Sequence, residues 1–327
     1  MKKIIVIGAG AWGTAIASLL AKNSHQVFLS ANNQEVIDEI NHKNTNHKFL
    51  PGARLSNKIT AIADFSEEIK TANLVFIVIP STGAAPLFEK ISQLKINKNC
   101  GFVICSKGVE QKSLTLLIDA FSQITKIENC AVLSGPNFAI EVANQVPTIT
   151  TIASKNKALA SKVIAALNND YFQAKYFADP RTLEICGIVK NIIAIGCGII
   201  DGLELGVNAK AALVMKGVEE IQTLCKKFKA SVAIDNAAGF GDIFLTCSSS
   251  KSRNNSLGSM LAQGKTYKKI SKTSGKTYEG ASSAAAISAI AKKLKLKLDL
   301  CEQINEILLK KHSSKQIKEK IVTAILS

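Results

Sequence analysis

The chain has 327 residues, of which 47% are apolar and 20% are charged. This composition excludes a disordered protein, and the length favours two domains over a single hydrophobic core. The formal net charge of +16 would suit a nucleic-acid binder, but no recognition motif or interleaved aromatic residues accompany the lysines. We therefore interpret the basic residues mainly as a lysine-rich surface.

Neither the first residues nor the cysteines indicate secretion. The apolar run that follows Met1 ends at Gly8, which is too short for a signal peptide. The eight cysteines lie mostly in apolar stretches without Cys-x-x-Cys or Cys/His spacing. They predict buried thiols in a reducing compartment and no metal site. We expect a cytoplasmic protein without stable membrane insertion.

The first strong local pattern is a dinucleotide-binding fingerprint. An apolar, β-branched run at 3–7 predicts a strand, glycines follow at Gly8, Gly10 and Gly13, and a helical pattern starts at Thr14. In this context Gly8 would allow a tight turn, Gly10 would let backbone amides approach a pyrophosphate, and Gly13 would let helix and strand pack closely. A glycine-rich turn of another α/β fold is the alternative.

The second predicted strand, 26–30, does not end in the Asp or Glu that commonly holds the ribose of NAD. The residues that follow, 31–34, contain no acid, and no Arg or Lys that would hold the 2′-phosphate of NADP. This loop therefore selects neither coenzyme.

Alternating strand and helix patterns continue to about residue 180. Strands are predicted at 59–62, 74–79, 102–105, 131–134 and 148–153, and helices lie between them, for example at 113–124 and 157–168. This rhythm is typical of a mostly parallel sheet covered on both faces. Three strands are followed by polar or small residues, at Ser81, Lys107 and Gly135, and ligands of such sheets bind at that edge.

Beyond residue 180 helical patterns replace the strands. We predict a Rossmann-type domain at 1–180 and an all-helical domain at 181–327, entered through a helix at 183–200. That helix is apolar nearly all round but contains Lys190 and Asn191, and it is too short for a membrane span. Because a buried ammonium is unfavourable unless it is paired or neutralised, we interpret Lys190 as an acid/base residue. A lysine that reaches the surface is the alternative.

Two later stretches carry polar groups in unusual settings. Asp242 lies between small residues and an apolar run, where it could pair with a buried lysine, although a helix N-cap would explain it equally well. Ser252, Arg253 and Asn254 offer a hydroxyl, a guanidinium and an amide, a set that suits a phosphate. Arg253 alone would be interpreted as a surface residue.

Together these motifs closely resemble the bacterial NAD(P)-dependent glycerol-3-phosphate dehydrogenase family. The segments that carry the resemblance follow the family's order up to about residue 310, and they are 8–14, 106–108, 134–139, 189–196, 239–247, 252–254 and 278–280. The resemblance implies hydride transfer between NAD(P)H and C2 of dihydroxyacetone phosphate. The product would be sn-glycerol 3-phosphate, for glycerophospholipid biosynthesis.

The resemblance also implies roles for individual residues, with Lys190 as the acid/base residue and Asp242 holding it in place. The coenzyme, NAD or NADP, would be bound by Gly8, Gly10, Ala11, Trp12, Gly13, Asn32, Lys107, Ala139, Arg253 and Glu279. The substrate would be bound by Lys107, Gly135, Asn137, Lys190, Asp242, Ser252, Arg253 and Asn254. A homodimer is left open.

Two positions depart from the family pattern. Asn137 stands where Ser or Thr is usual, and Asn32 stands where Arg or His is frequent. One substrate hydrogen bond and the choice of coenzyme therefore stay open.

Three other classes of protein are weighed against this one. A 3-hydroxy-acid dehydrogenase of similar fold would not need the set from Ser252 to Asn254. A nucleotide sensor without activity could lose Lys190 and Asp242. A nucleic-acid binder would bind with strong salt dependence.

Overall fold

The computed structural model describes residues 1–249, 252–274 and 278–327. These residues form two compact units, Met1–Ser106 with Thr115–Leu183, and Lys107–Leu114 with Glu184–Ser327. The first contains a mostly parallel sheet and the second is largely helical, which confirms the predicted fold class. Lys107–Leu114, which lies before residue 180 in the sequence, belongs to the second unit. The division into a coenzyme domain at 1–180 and a substrate domain at 181–327 remains a prediction.

The strands are, in chain order, β1 (Lys3–Ile7), β2 (Gln26–Ser30), β3 (Ile59–Ile62), β4 (Leu74–Ile77), β5 (Gly101–Ile104), β6 (Val109–Glu110), β7 (Thr115–Leu116), β8 (Cys130–Ser134), β9 (Thr148–Ala153) and β10 (Phe172–Phe177). Among the described residues, eight of them form the main sheet in the order β10-β9-β8-β5-β4-β1-β2-β3. Neighbours run parallel, except that β8 and β9 are antiparallel. The central strands β1, β4 and β5 are almost entirely buried, as expected of strands covered on both faces.

The helices of the first unit are α1 (Ala11–Lys22), α2 (Gln34–Lys43), α3 (Ala84–Ser92), α4 (Leu117–Thr125), α5 (Ala139–Ala143) and α6 (Lys157–Leu167). The prediction of a helix from residue 113 was wrong at its start, because Leu114 has a φ of 60° and a short strand precedes α4. Likewise β4 ends at Ile77 rather than residue 79, since Pro80 follows and a 3-10 turn begins at Ser81.

The helices that follow are α7 (Pro180–Gly202), α8 (Val207–Lys227), α9 (Asp242–Ser248), α10 (Arg253–Ala262), α11 (Tyr267–Ser274), α12 (Glu279–Leu294), α13 (Asp299–Leu309) and α14 (Ser314–Leu326). A π-helical turn, Ala237–Gly241, leads directly into α9. Such turns are frequent at functional sites.

Helix α7 is buried without interruption from residue 182 to 200, as predicted. The expectation that this helix is too short for a membrane span was wrong, because α7 continues for 23 residues and is long and apolar enough to cross one. Its most apolar window is nevertheless wholly buried inside the protein, as in a core helix. A Cβ on Gly198 would lie 1.9 Å from the carbonyl oxygen of Asn255, so α7 and α10 pack backbone to backbone. This close contact fixes the start of α10 beside the C-terminal part of α7.

All eight cysteines lie within the described residues, and each is a buried thiol. The prediction that they serve as small core side chains is confirmed.

Candidate active site

The three glycines of the fingerprint occupy different environments. Gly8 has a φ of 113°, and a Cβ there would lie 2.3 Å from the carbonyl oxygen of Val78. A Cβ on Gly13 would lie 1.8 Å from the carbonyl oxygen of Gly8, whereas a Cβ on Gly10 would meet nothing within 4 Å. Gly8 and Gly13 are therefore required by packing, and Gly10 leaves open space at the loop.

Gly10 is also the N-cap of α1, and it provides no side-chain cap for the first amides of that helix. Uncapped amides at a helix N-terminus are suited to an anion such as a pyrophosphate. The predicted coenzyme residues Ala11 and Trp12 form the first half-buried positions of α1. The local geometry thus fits a dinucleotide coenzyme.

The loop after β2 places Asn32 and Asn33 differently. Asn32 is exposed, whereas the Asn33 side chain caps α2 by accepting a hydrogen bond from the amide of Val36 at 3.1 Å. Of these two asparagines, Asn32 is the one with an exposed side chain. It stands at the position where a charged residue would discriminate between NAD and NADP.

In the first unit the structure also brings together Gly135 and Asn137, both predicted to bind substrate. The Asn137 amide donates to the carbonyl oxygen of Ile149 at 3.2 Å and accepts from the hydroxyl of Thr150 at 2.9 Å. Asn137, which replaces the family's usual hydroxyl residue, is thus held against β9. Another predicted coenzyme residue, Ala139, begins α5.

The second unit holds a buried charge cluster made by Lys190, Asp242, Lys107 and Thr246. Lys190 Nζ donates to Asp242 Oδ1, and it donates to the Thr246 hydroxyl at 2.9 Å. Lys107 Nζ donates to the other carboxylate oxygen of Asp242 at 3.1 Å. Lys190 is only 5% exposed and Asp242 only 1%. The alternative of a surface-reaching Lys190 is therefore wrong.

Asp242 is held in place by the π-helical turn before it. Asn236 caps this turn by accepting from the amides of Ala238 and Gly239, each at 3.0 Å. A Cβ on Gly239 would lie 2.2 Å from the carbonyl oxygen of Ile234, so only glycine fits there. The N-cap of α9 is Gly241, and Asp242 is not the cap that the alternative interpretation required.

Sequence analysis does not identify Thr246. Its hydroxyl donates to the Asp242 carbonyl at 2.6 Å and accepts from Lys190, so it orients both members of the pair. The available signal was its spacing of four residues from Asp242, which places both on one helix face.

Burial and the charge of Asp242 oppose each other at both lysines, and the net pKa shift has the opposite sign at the two. Burial lowers the pKa of Lys190 to about 8, with Asp242 opposing and Lys107 adding to the shift. Burial also acts to lower the pKa of Lys107, but Asp242 and Glu279 outweigh it and raise that pKa. The pKa of Asp242 is lowered, because the two ammonium groups outweigh the effect of its burial. Among these three groups, Lys190 is therefore the one whose pKa is shifted toward neutral pH.

A second polar network surrounds Asn254. Its amide donates to Asn191 Oδ1 at 2.9 Å and accepts from the Gly280 amide at 3.0 Å, so it links α7, α10 and α12. The neighbouring Ser252 caps α10, and the exposed residues Arg253 and Glu279 begin α10 and α12. Through Asn254, this network ties the starts of α10 and α12, where Arg253 and Glu279 lie, to Asn191 of α7.

Two family models match the chain. One, described as NAD-dependent glycerol-3-phosphate dehydrogenase N-terminus, matches residues 3–160, and the other, described as the C-terminus of the same enzyme, matches residues 179–319. The chain belongs to the NAD-dependent glycerol-3-phosphate dehydrogenase family.

Individual members of this family are similar along nearly the whole chain. Proteins of Parvibaculum lavamentivorans and Rhodospirillum rubrum, both named Glycerol-3-phosphate dehydrogenase [NAD(P)+], are 36% and 38% identical. The matches cover 94% and 93% of this chain, and 92% and 87% of the relatives. A glycerol-3-phosphate dehydrogenase crystal structure from Coxiella burnetii is 31% identical, has a TM-score of 0.92, and 98% of each chain is covered.

These similarities confirm the resemblance inferred from the motifs and the enzyme class, an NAD(P)-dependent oxidoreductase with a small-molecule substrate. For a glycerol-3-phosphate dehydrogenase, the first unit offers uncapped helix amides beside open space at Gly10. The second unit offers a buried lysine whose pKa is lowered to about 8, and it offers a guanidinium at the start of α10.

Proposed function

We propose that this chain reduces dihydroxyacetone phosphate to sn-glycerol 3-phosphate, and that Lys190 moves the proton at the C2 oxygen. The observation that carries the proposal is the buried cluster in which Lys190 and Lys107 share Asp242. When bound, NAD(P)H supplies the hydride that C2 accepts.

Lys190 is suited to act in both directions of the reaction. In the reduction, its ammonium would donate a proton to the oxygen on C2 as negative charge develops there. In the oxidation, its neutral amine would take that proton back. A pKa of about 8 keeps both forms accessible near neutral pH. Asp242 and Thr246 fix the direction of the Nζ through their hydrogen bonds.

The phosphate would be bound in the second unit by Arg253. A guanidinium can bind two phosphate oxygens at once, and the N-terminus of α10 adds a favourable dipole. Ser252 and Asn254 flank it, and Lys107 contributes a second positive charge that its raised pKa maintains. Gly135 and Asn137 complete the proposed substrate set.

The coenzyme would be bound by the glycine loop, with Ala11, Trp12, Asn32, Ala139, Lys107, Arg253 and Glu279 as further contacts. Because Asn32 carries no charge, we propose that both NADH and NADPH are accepted. We further propose a cytoplasmic enzyme that supplies glycerophospholipid biosynthesis, with 1–180 as the coenzyme domain and 181–327 as the substrate domain.

The test is an absorbance assay of NADH and NADPH oxidation with three substrates. Dihydroxyacetone phosphate should be reduced with either coenzyme. Dihydroxyacetone, which lacks only the phosphate, should be reduced far less efficiently, because Arg253 then has no anion to bind. Acetoacetate, the substrate expected of a 3-hydroxy-acid dehydrogenase, should not be reduced. No oxidation with dihydroxyacetone phosphate would refute the proposal.

A further inference from the structure

A buried asparagine outside the fingerprint lies against the glycine loop. Asn46 is 0% exposed, and its Nδ2 donates to the carbonyl oxygen of Ala9 at 3.0 Å and to the Thr14 hydroxyl at 2.8 Å. Thr14 itself donates to the same Ala9 carbonyl at 3.3 Å. Because a carbonyl oxygen only accepts, Nδ2 and not Oδ1 must face Ala9.

The backbone around Asn46 is fixed on both sides. The Thr45 hydroxyl and the His47 amide both donate to Glu39 of α2, at 2.8 and 2.9 Å. The Leu50 amide then donates to the carbonyl oxygen of Asn46 at 2.8 Å. The side chain therefore reaches the loop from a rigid support, although it lies more than 30 residues away in sequence.

These bonds orient one peptide group of the loop. A trans peptide is planar, so the carbonyl of Ala9 and the N–H of Gly10 point in opposite directions. Holding the carbonyl toward Asn46 consequently turns the Gly10 N–H away from the interior, at the residue where a Cβ would meet nothing within 4 Å. Oriented loop amides of this kind bind the pyrophosphate of a dinucleotide.

We propose that Asn46 is a positioning residue for coenzyme binding, and that it acts by holding the Ala9 carbonyl so that the Gly10 N–H is presented to the pyrophosphate. This inference rests on the proposed function, because it takes the glycine loop as the coenzyme site. Asn46 touches the loop and need not touch the reacting atoms. Its removal should therefore weaken NADH binding and leave the chemical step intact.

The experiment is a titration of Asn46→Ala with NADH, followed by the quenching of Trp12, which is the chain's only tryptophan and lies in the first turn of α1. Losing two hydrogen bonds that hold the loop should weaken NADH binding by about tenfold. The KM for NADH should rise in parallel, while kcat at saturating NADH and the KM for dihydroxyacetone phosphate stay at the parent values. Asn46→Asp, which places an acceptor against the Ala9 carbonyl, should weaken binding at least as much.

Asn41→Ala is the matched control. Asn41 also bridges to backbone, donating to the carbonyl oxygen of Ala61 at 3.0 Å and accepting from the Ala61 amide at 2.8 Å, but it does so at β3. It should lower thermal stability without weakening NADH binding. Parent-like NADH affinity in Asn46→Ala, or an equal loss in Asn41→Ala, would overturn the inference.

If Asn46→Ala does not fold, Thr14→Val removes the hydroxyl that accepts from Asn46 and donates to the Ala9 carbonyl. Because the direct bond from Asn46 to Ala9 remains, it should shift NADH affinity in the same direction by a smaller factor. Unchanged affinity in a folded Thr14→Val protein would count against the inference. A parent chain that binds NADH but does not reduce dihydroxyacetone phosphate would refute the proposed function alone, since the titration measures Asn46 independently of turnover.

Discussion

Lys190 and Lys107 share one carboxylate, yet their exposure differs. The Lys190 side chain is 6% exposed and that of Lys107 is 26% exposed, and Asp242 lies between the two ammonium groups. One carboxylate can neutralise only one of two ammonium charges, so the more buried lysine bears the larger desolvation penalty. The cluster therefore separates the two pKa values, one lowered and one raised, as acid/base sites commonly do.

Replacing Lys190 by Met should reduce turnover strongly without preventing coenzyme binding. The substitution keeps most of the apolar stem and removes the transferable proton, and general acid catalysis is worth about 10² to 10⁴ in rate. In the parent, kcat/KM for the reduction should fall as pH rises above about 8, because Lys190 then loses the proton that it must donate. Lys190→Met should lack this decline. Steady-state kinetics across pH, with NADH binding measured separately, checks both.

Lys216→Met is the matched control for that prediction. Lys216 is a lysine of α8 with a side chain that is 16% exposed, and it is paired with Asp299 at 3.9 Å. It should keep parent turnover and the parent pH profile. A folded Lys190→Met protein with turnover close to that of the parent would instead show that Lys190 has a structural role.

At the scale of secondary-structure elements, local sequence patterns predicted the positions of several strands correctly. The strands at 3–7, 26–30, 59–62 and 148–153 have the predicted bounds, because apolar or β-branched runs there are bordered by turn or helix signals. Strand β10 was missed, although buried Phe172 and Ala174 alternate with exposed Gln173. The alternation of buried and exposed residues in β10 is short, and its position at the edge of the sheet is set by pairing with β9.

The parts of the site that sequence could not supply depend on contacts between distant segments. The resemblance assigned Asp242 to Lys190, but the bond from Lys107 requires knowing that Lys107–Leu114 belongs to the second unit. Likewise, the π-helical turn depends on the close approach of Gly239 to Ile234. The hydrophobic periodicity of the local sequence predicts neither the bond from Lys107 to Asp242 nor the contact between Gly239 and Ile234.

The same substitution at two glycines of the fingerprint should separate binding from folding. Gly10→Val adds a side chain where a Cβ meets nothing within 4 Å, so thermal stability should stay near the parent value while NADH binding is lost. Gly13→Val places a Cβ 1.8 Å from the carbonyl oxygen of Gly8, so it should destabilise the fold itself. Thermal melting and NADH titration of both variants test this contrast. Parent-like NADH affinity in Gly10→Val would remove the loop from the coenzyme site.

For the whole molecule, the buried cluster links catalysis to stability. Folding buries the Lys190 ammonium and the Asp242 carboxylate and places the partly exposed Lys107 ammonium beside them, so one carboxylate faces two positive charges. The excess positive charge lowers the free energy of unfolding, and the same burial lowers the pKa of Lys190 toward the range that the proposed proton transfer requires. Stability should therefore improve when this charge is removed.

Lys190→Met should accordingly raise the melting temperature, and the gain should depend on pH in one direction. The pKa of Lys190 is about 8 in the folded protein against an ordinary 10.5 in the unfolded chain, so between these values the unfolded state binds more protons. The parent's free energy of unfolding therefore rises with pH across this window, as its buried lysine becomes neutral. The advantage of the variant should be largest below pH 8 and should shrink toward pH 10.5.

Asp242 should not offset this gain, because Lys107, which donates to it at 3.1 Å in the parent, remains as its partner when Lys190 is replaced. Thermal melts of the parent, Lys190→Met and Lys216→Met, run from neutral pH to pH 10.5, measure the effect. Lys216→Met serves as the control for removing a partly exposed lysine outside the cluster. A constant or widening gap between the parent and Lys190→Met would mean that the unfolded chain binds no more protons at this residue than the folded protein does. The lowered pKa of Lys190, and with it the physical basis for its proton transfer near neutral pH, would then be wrong.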